Sequence, residues 1–170
     1  PAFHRIVFGN DRPRAVVNIG GISNVTALEG EQHQFRDTPH GGQGPGRRGD
    51  RALRRLTLRD VRKLQPGRVQ YTAWCDDHGH VLDDGTLFRL AETDFRLCCQ
   101  ERHLPWLTDS ADGFDVTIEE ETETLAAAAL QGPTSFSVLD AAGFAGVETL
   151  KPFQLMTVRH QDHEILISRT

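Results

Sequence analysis

The amino-acid sequence predicts an α+β fold of antiparallel hairpins with interleaved helices, preceded by a short β-hairpin segment. Three observations carry this. Residues 66–90, PGRVQYTAWCDDHGHVLDDGTLFRL, read as two strands around a turn, with Val69, Tyr71, Ala73 and Cys75 on one face. After Asp50, Leu53, Leu56, Val61 and Leu64 recur at helical spacing. Between the N-terminal strands and that helix lies Gly41-Gly42-Gln43-Gly44-Pro45-Gly46-Arg47-Arg48-Gly49, whose glycines bury little and are costly to order.

Taken in order, Ala15 to Ile19 is a β-branched run closed by Gly20-Gly21, and Ser23 to Leu28 resumes it as a second strand. Residues 29–49 carry turn formers throughout and are expected to be irregular. Asp50 is placed to cap the helix that follows. Asp76-Asp77-His78-Gly79 reverses the chain between the strands at 68–75 and 81–90. Phe95 to Cys99 continues the sheet, Leu104 to Ala111 forms a short helix with Pro105 in its first turn, and Phe114 to Ile118 alternates as a strand. Leu125-Ala126-Ala127-Ala128-Ala129-Leu130 is ambiguous, since alanine favours helix while the short span before Gly132-Pro133 suits a tightly packed strand. A helix from Thr134 to Ala142 and a hairpin of Phe153–His160 with Glu164–Ser168 complete the pattern.

Composition narrows the function classes. At 170 residues the chain can form an ordinary domain, and its net charge of −5 provides no general attraction for nucleic acid. Charge is unevenly spread. Nine of the nineteen Lys and Arg lie within 47–68, while 109–123 holds acids and no base. Both stretches read first as solvated faces. An anion-binding surface, or docking of Arg47–Arg68 on an acidic partner, is the non-catalytic alternative. Cys75, Cys98 and Cys99 form no Cys-x-x-Cys pair and suit strand packing in a reduced compartment. With no charged segment leading into an apolar one and no apolar run of membrane-spanning length, the chain reads as cytoplasmic, without membrane partners. Its abrupt ends suggest a fragment.

The chemistry-bearing feature is Leu82-Asp83-Asp84-Gly85. Adjacent carboxylates on an extended strand point to opposite faces, so they cannot both serve one site. One is expected to be buried or functional and the other solvated. A carboxylate placed here can act as a hydrogen-bond acceptor or as a base toward an amine.

The stretch RLTLRDVRKLQPGRVQYTAWCDDHGHVLDDGTLFRL resembles the glycine-cleavage T-protein family, the folate-dependent aminomethyltransferases. The family pattern is a helix ending in T-x-x-D, then K-L-x-x-G, a Tyr-containing strand, N-E-x-G-G-x-x-D-D and a hydrophobic strand. The likeness continues through Trp106, the Ala126–Ala129 run with Leu130-Gln131-Gly132-Pro133, and Ile167-Ser168-Arg169-Thr170, covering about residues 49–170. It implies an incomplete folate-binding domain over 50–170, with tetrahydrofolate and an amine-bearing one-carbon donor as ligands. Asp84 then matches the catalytic, folate-contacting aspartate, and Tyr71 a tyrosine of the folate pocket. Two departures stand out. The turn reads Asp76-Asp77-His78-Gly79-His80, and Cys98-Cys99-Gln100-Glu101-Arg102-His103 replaces the usual Asn-Ala-Ala, which points to a different donor.

The N-terminal VVNIGGISNVTAL, with Pro1-Ala2-Phe3-His4 upstream, resembles the anhydro-N-acetylmuramic acid kinases, ATP-dependent sugar kinases. That likeness implies a kinase-like β-hairpin fragment at 1–40, joined through a junction at 41–49. It also implies an alternative site in which Gly20 and Gly21 approach a phosphate of ATP, with its Mg, and Asp37 stands as general base.

Overall fold

The computed structural model describes residues 14–20, 31–37, 49–101, 103–160 and 162–170. The elements in chain order are β1 (Arg14–Gly20), β2 (Glu31–Asp37), α1 (Gly49–Leu56), β3 (Arg68–Cys75), β4 (Val81–Ala91), β5 (Asp94–Cys99), α2 (Leu104–Ser110), β6 (Val116–Glu120), β7 (Leu125–Gln131), α3 (Ser135–Ala141), β8 (Gln154–His160) and β9 (His163–Arg169). They fall into two compact units. One is Gly30–Glu121; the other joins Thr122–Thr170 to the N-terminal segment that carries β1. The α+β expectation, with antiparallel hairpins and helices between them, holds.

In the Gly30–Glu121 unit the strands run β6-β2-β5-β4-β3, every neighbour antiparallel. Register puts Trp74 opposite Asp83, Gly85 opposite Cys99 and Leu87 opposite Leu97, so these residues share one face. That face forms the core. Trp74, Leu87, Phe95, Leu97 and Cys99 pack there against Leu53 and Leu56 of α1, Val61 and Leu64 of the following 3-10 turn, and Leu107 of α2. The helix expected through residue 64 stops at Leu56 instead. Thr57 closes it by bonding the Leu53 carbonyl, and Leu58 N–H then donates to Ala73 O of β3 at 2.9 Å. Asp60 starts the 3-10 turn by accepting from Arg62 N–H at 3.1 Å. Asp50 lies in the first turn of α1, where an acid complements the helix dipole.

The other unit is ordered β8-β9-β1-β7. The β8–β9 pair is the antiparallel hairpin expected from sequence, whereas β1 runs parallel to both β9 and β7. The short N-terminal hairpin is therefore corrected for its first strand, because both edges of β1 are taken by other strands. Its proposed second strand, 23–28, lies outside the described residues. The alanine run resolves as strand β7, pairing residue for residue with β1 from Arg14↔Leu125 to Gly20↔Gln131. Leu139, Phe144, Val147, Leu150, Ile165 and Ile167 form this unit's core.

A further expectation is overturned within 29–49. Residues 31–37 form β2, held between β5 and β6 in a register from Glu31↔Cys99 to Arg36↔Asp94 and from His33↔Glu120 to Asp37↔Val116. Its sequence, EQHQFRD, has almost no apolar signal, and the strand owes its existence to the two neighbours that hydrogen-bond it. No helix among the described residues is long and apolar enough to cross a membrane.

Candidate functional site

The β3–β4 hairpin positions the candidate site. Asp76 organises its turn by accepting from the amides of His78 and His80, each at 2.9 Å, while Gly79 adopts φ +82. The Asp76 carboxyl is held below its ordinary value, first by the His80 amide and then by the His80 ring and the His78 amide. Despite its histidines and acids, the turn is no metal centre: among the described residues no group of three or more His, Cys, Asp or Glu side chains is arranged to hold an ion.

From that turn β4 runs through Asp83 and Asp84, whose side chains leave the strand on opposite faces. Asp83 faces the core side and is only 10% exposed. Its Oδ2 accepts from the amides of Gln100 and Glu101 at 3.3 and 3.2 Å and pairs with His103 Nε2 at 3.1 Å. Its Oδ1 accepts from the amide of Asp84 at 2.8 Å. A buried carboxylate with this many donors is a structural anchor.

Asp84 lies on the exposed face. It stands opposite Ala73, and Tyr71 stands opposite Thr86, which makes Asp84 and Tyr71 diagonal neighbours across the pair. The Tyr71 hydroxyl donates to Asp84 Oδ2. Tyr71 is 54% exposed, an unusual amount for a large aromatic in a strand. Leu82, two residues before Asp84 on the same strand, is also exposed. Among the described residues no other side chain engages the Asp84 carboxylate, so Oδ1 is available to a ligand. The arrangement presents a hydrogen-bonded carboxylate beside the face of an aromatic ring. Such a pair can accept an N–H from an amine and stack on a flat heterocycle.

Of the other residues singled out from sequence, Gly20 ends β1 opposite Gln131, and Asp37 ends β2 opposite Val116. Gly21 lies outside the described residues. Sequence reasoning missed three participants. His103 reaches Asp83 from twenty positions away, and Arg96 donates through Nε to Glu121 Oε2 at 2.9 Å with both side chains buried. Gly85 completes the set, because a Cβ added there would meet Cys98 O at 2.2 Å. The first two carry no local signal. Gly85 could have been suspected as a glycine interrupting a strand, which marks close backbone approach.

Comparison with known proteins follows the same region. The model of the GCVT N-terminal domain matches residues 43–170. An aminomethyltransferase of Lysinibacillus sphaericus is 33% identical over 123 residues, covering 69% of this chain and 34% of that protein. One from Geobacillus thermodenitrificans is 37% identical over 123 residues, covering 69% of this chain and 33% of its own length. One from Clostridium botulinum is 28% identical over 171 residues, 91% of this chain and 46% of that protein. This last alignment is longer than the stretch the family model matches and so reaches into the N-terminal segment read from sequence as kinase-like. The kinase resemblance gains no support from these matches. Among solved structures, the glycine cleavage system aminomethyltransferase T from Bartonella henselae aligns with a TM-score of 0.58 and 22% identity, over 76% of this chain and 34% of its own, which establishes likeness of fold. The chain spans about a third of the length of the first of these curated relatives.

Proposed function

The chain belongs to the GCVT N-terminal domain family, and from that premise we propose that it supplies the Asp84–Tyr71 portion of a folate-binding site for one-carbon transfer from an amine-bearing donor. The observation that carries the proposal is the division of labour between the two aspartates. Asp83 is committed to internal donors, while Asp84 is exposed and held by a single phenol that leaves one oxygen for a ligand.

Tetrahydrofolate, when bound, supplies the amine nitrogen that takes up the one-carbon unit. Asp84 accepts a hydrogen bond from that amine and receives or returns its proton at Oδ1. Tyr71 fixes Oδ2 and offers its exposed ring to the flat heterocycle. Leu82 contributes an apolar border. Because the chain corresponds to about a third of its relatives, further residues outside it complete the pocket, and the affinity of this piece alone is modest.

Isothermal titration of the chain with tetrahydrofolate tests the reading. Binding is expected, weakened about tenfold or more by Asp84→Asn, as expected for loss of a hydrogen bond to a charged group. Tyr71→Phe, which frees Oδ2, is expected to weaken it less. Absence of heat at millimolar ligand, or identical binding by wild type and Asp84→Asn, overturns the assignment.

A further inference from the structure

The backbone pairing that holds most of β4 in place gives out where Asp84 sits. The β4–β5 ladder ends at Gly85 opposite Cys99, so residues 81–84 have no β5 partner in that register. On the β3 side the register slips between Trp74 and Cys75, with Asp83 paired to Trp74 and Val81 to Cys75. Backbone hydrogen bonds alone therefore leave the Asp84 segment loosely defined.

Asp83 supplies the missing connection. Its Oδ2 takes the amides of Gln100 and Glu101, the segment that β5 runs into, together with the His103 ring, and its Oδ1 takes the amide of Asp84 itself. One carboxylate thus fastens the backbone of Asp84 to the start of α2. His103, 17% exposed, is walled by Trp74 of β3, edge-on with ring centroids 5.7 Å apart, and by Trp106 of α2 at 6.4 Å.

We infer that Asp83 and His103 are a positioning pair that holds Asp84 beside Tyr71, and that the protonation of His103 sets how firmly they do so. Its consequence for transfer rests on reading Asp84 as the acting group; the coupling itself does not. Among the described residues, the charged groups facing His103 are Asp83 from β4 and Glu101 from its own segment; Trp74 and Trp106 do not titrate. A neutral imidazole gives Asp83 an ordinary hydrogen bond, whereas an imidazolium gives a charge-assisted one roughly twice as strong. Burial keeps water from screening the difference. The clamp tightens as pH falls and loosens as pH rises.

The composition provides two reporters. Tyr71 is the sole tyrosine, and both tryptophans of the chain contact His103. Tryptophan emission therefore reports protonation of His103, since an imidazolium quenches a neighbouring indole, and the 13C resonance of the Tyr71 Cζ reports its hydrogen bond to Asp84. In the full chain, titrated from about pH 8 to about pH 5, where imidazoles take up a proton, emission falls in one step and the Tyr71 resonance moves with the same midpoint. His103→Gln keeps an N–H donor for Asp83 and is expected to abolish both steps while retaining the circular-dichroism spectrum. Asp83→Asn keeps the emission step and uncouples Tyr71 from it. A Tyr71 resonance that stays flat across the emission step, or that moves equally in His103→Gln, reduces the pair to a fold anchor and overturns the inference. The wild-type titration decides this even if a variant fails to fold. In a one-carbon transfer assay, Asp83→Asn lowers kcat about tenfold or more with KM unchanged, the signature of misplacement rather than lost binding. Coupled titration in a chain that binds no folate sustains the positioning pair and removes the functional reading, so the two fail separately.

Discussion

Gly85→Ala tests how closely the strand behind the site must approach its neighbour. Gly85 stands between Thr72 of β3 and Cys99 of β5, next to Asp84. An added Cβ would lie 2.2 Å from the Cys98 carbonyl oxygen and 3.1 Å from its carbon, both backbone atoms that cannot rotate away. Restoring ordinary contact requires β4 and β5 to separate by about 1 Å, which stretches a neighbouring ladder bond from about 2.9 to nearly 4 Å and so breaks it. One lost bond at about 1 kcal/mol and an overpacking cost of about 2 kcal/mol sum to about 3 kcal/mol. For a chain of this size that lowers Tm by about 10 °C. Thermal unfolding followed by circular dichroism measures it, with Gly79→Ala as the comparison. Gly79 has open space around its Cβ but φ +82, so its cost is the left-handed backbone alone, about 1 kcal/mol. A Gly85→Ala protein melting within about 2 °C of wild type, or no lower than Gly79→Ala, refutes the close-approach argument.

Three further outcomes follow from other parts of the chain. Glu121→Ala leaves the buried Arg96 guanidinium without this partner and is expected to cost about 3–5 kcal/mol in urea unfolding, whereas a loss under about 1 kcal/mol would mean that water reaches the pair. Asp60 is lowered from 3.8 to about 2, chiefly by its side-chain hydrogen bond from Arg62. A depressed carboxylate contributes stability above its unfolded pKa and loses it as pH falls through the folded one. The deficit of Asp60→Asn in urea midpoint should therefore be present above about pH 4 and vanish toward about pH 2, and a deficit unchanged over that window contradicts the assignment. Phe153 is half exposed at φ 61, so Phe153→Gly should relieve left-handed strain and raise stability by about 1 kcal/mol; a lower Tm would show that its ring contacts outweigh the backbone.

The 68–91 hairpin was legible in the sequence because alternation and turn chemistry act over a few residues. The period of two alone separated Asp83 from Asp84, since neighbouring side chains on a strand cannot share a face. It could not say which one would be anchored. That depended on Gln100, Glu101 and His103, about twenty positions away, which only the folded chain brings to Asp83. The same limit explains β2 and β7. EQHQFRD has no apolar periodicity and the alanine run suits either helix or strand, so each takes its conformation from the strands that pair with it. Arg96 and Glu121 likewise look like two ordinary surface charges until the sheet buries them together. The sequence by itself determined the α+β class, the hairpins and the family likeness, all of which reside in local pattern and motif order. Tertiary structure alone decided which carboxylate is exposed and how it is held, because burial and hydrogen-bond partners come from residues distant along the chain.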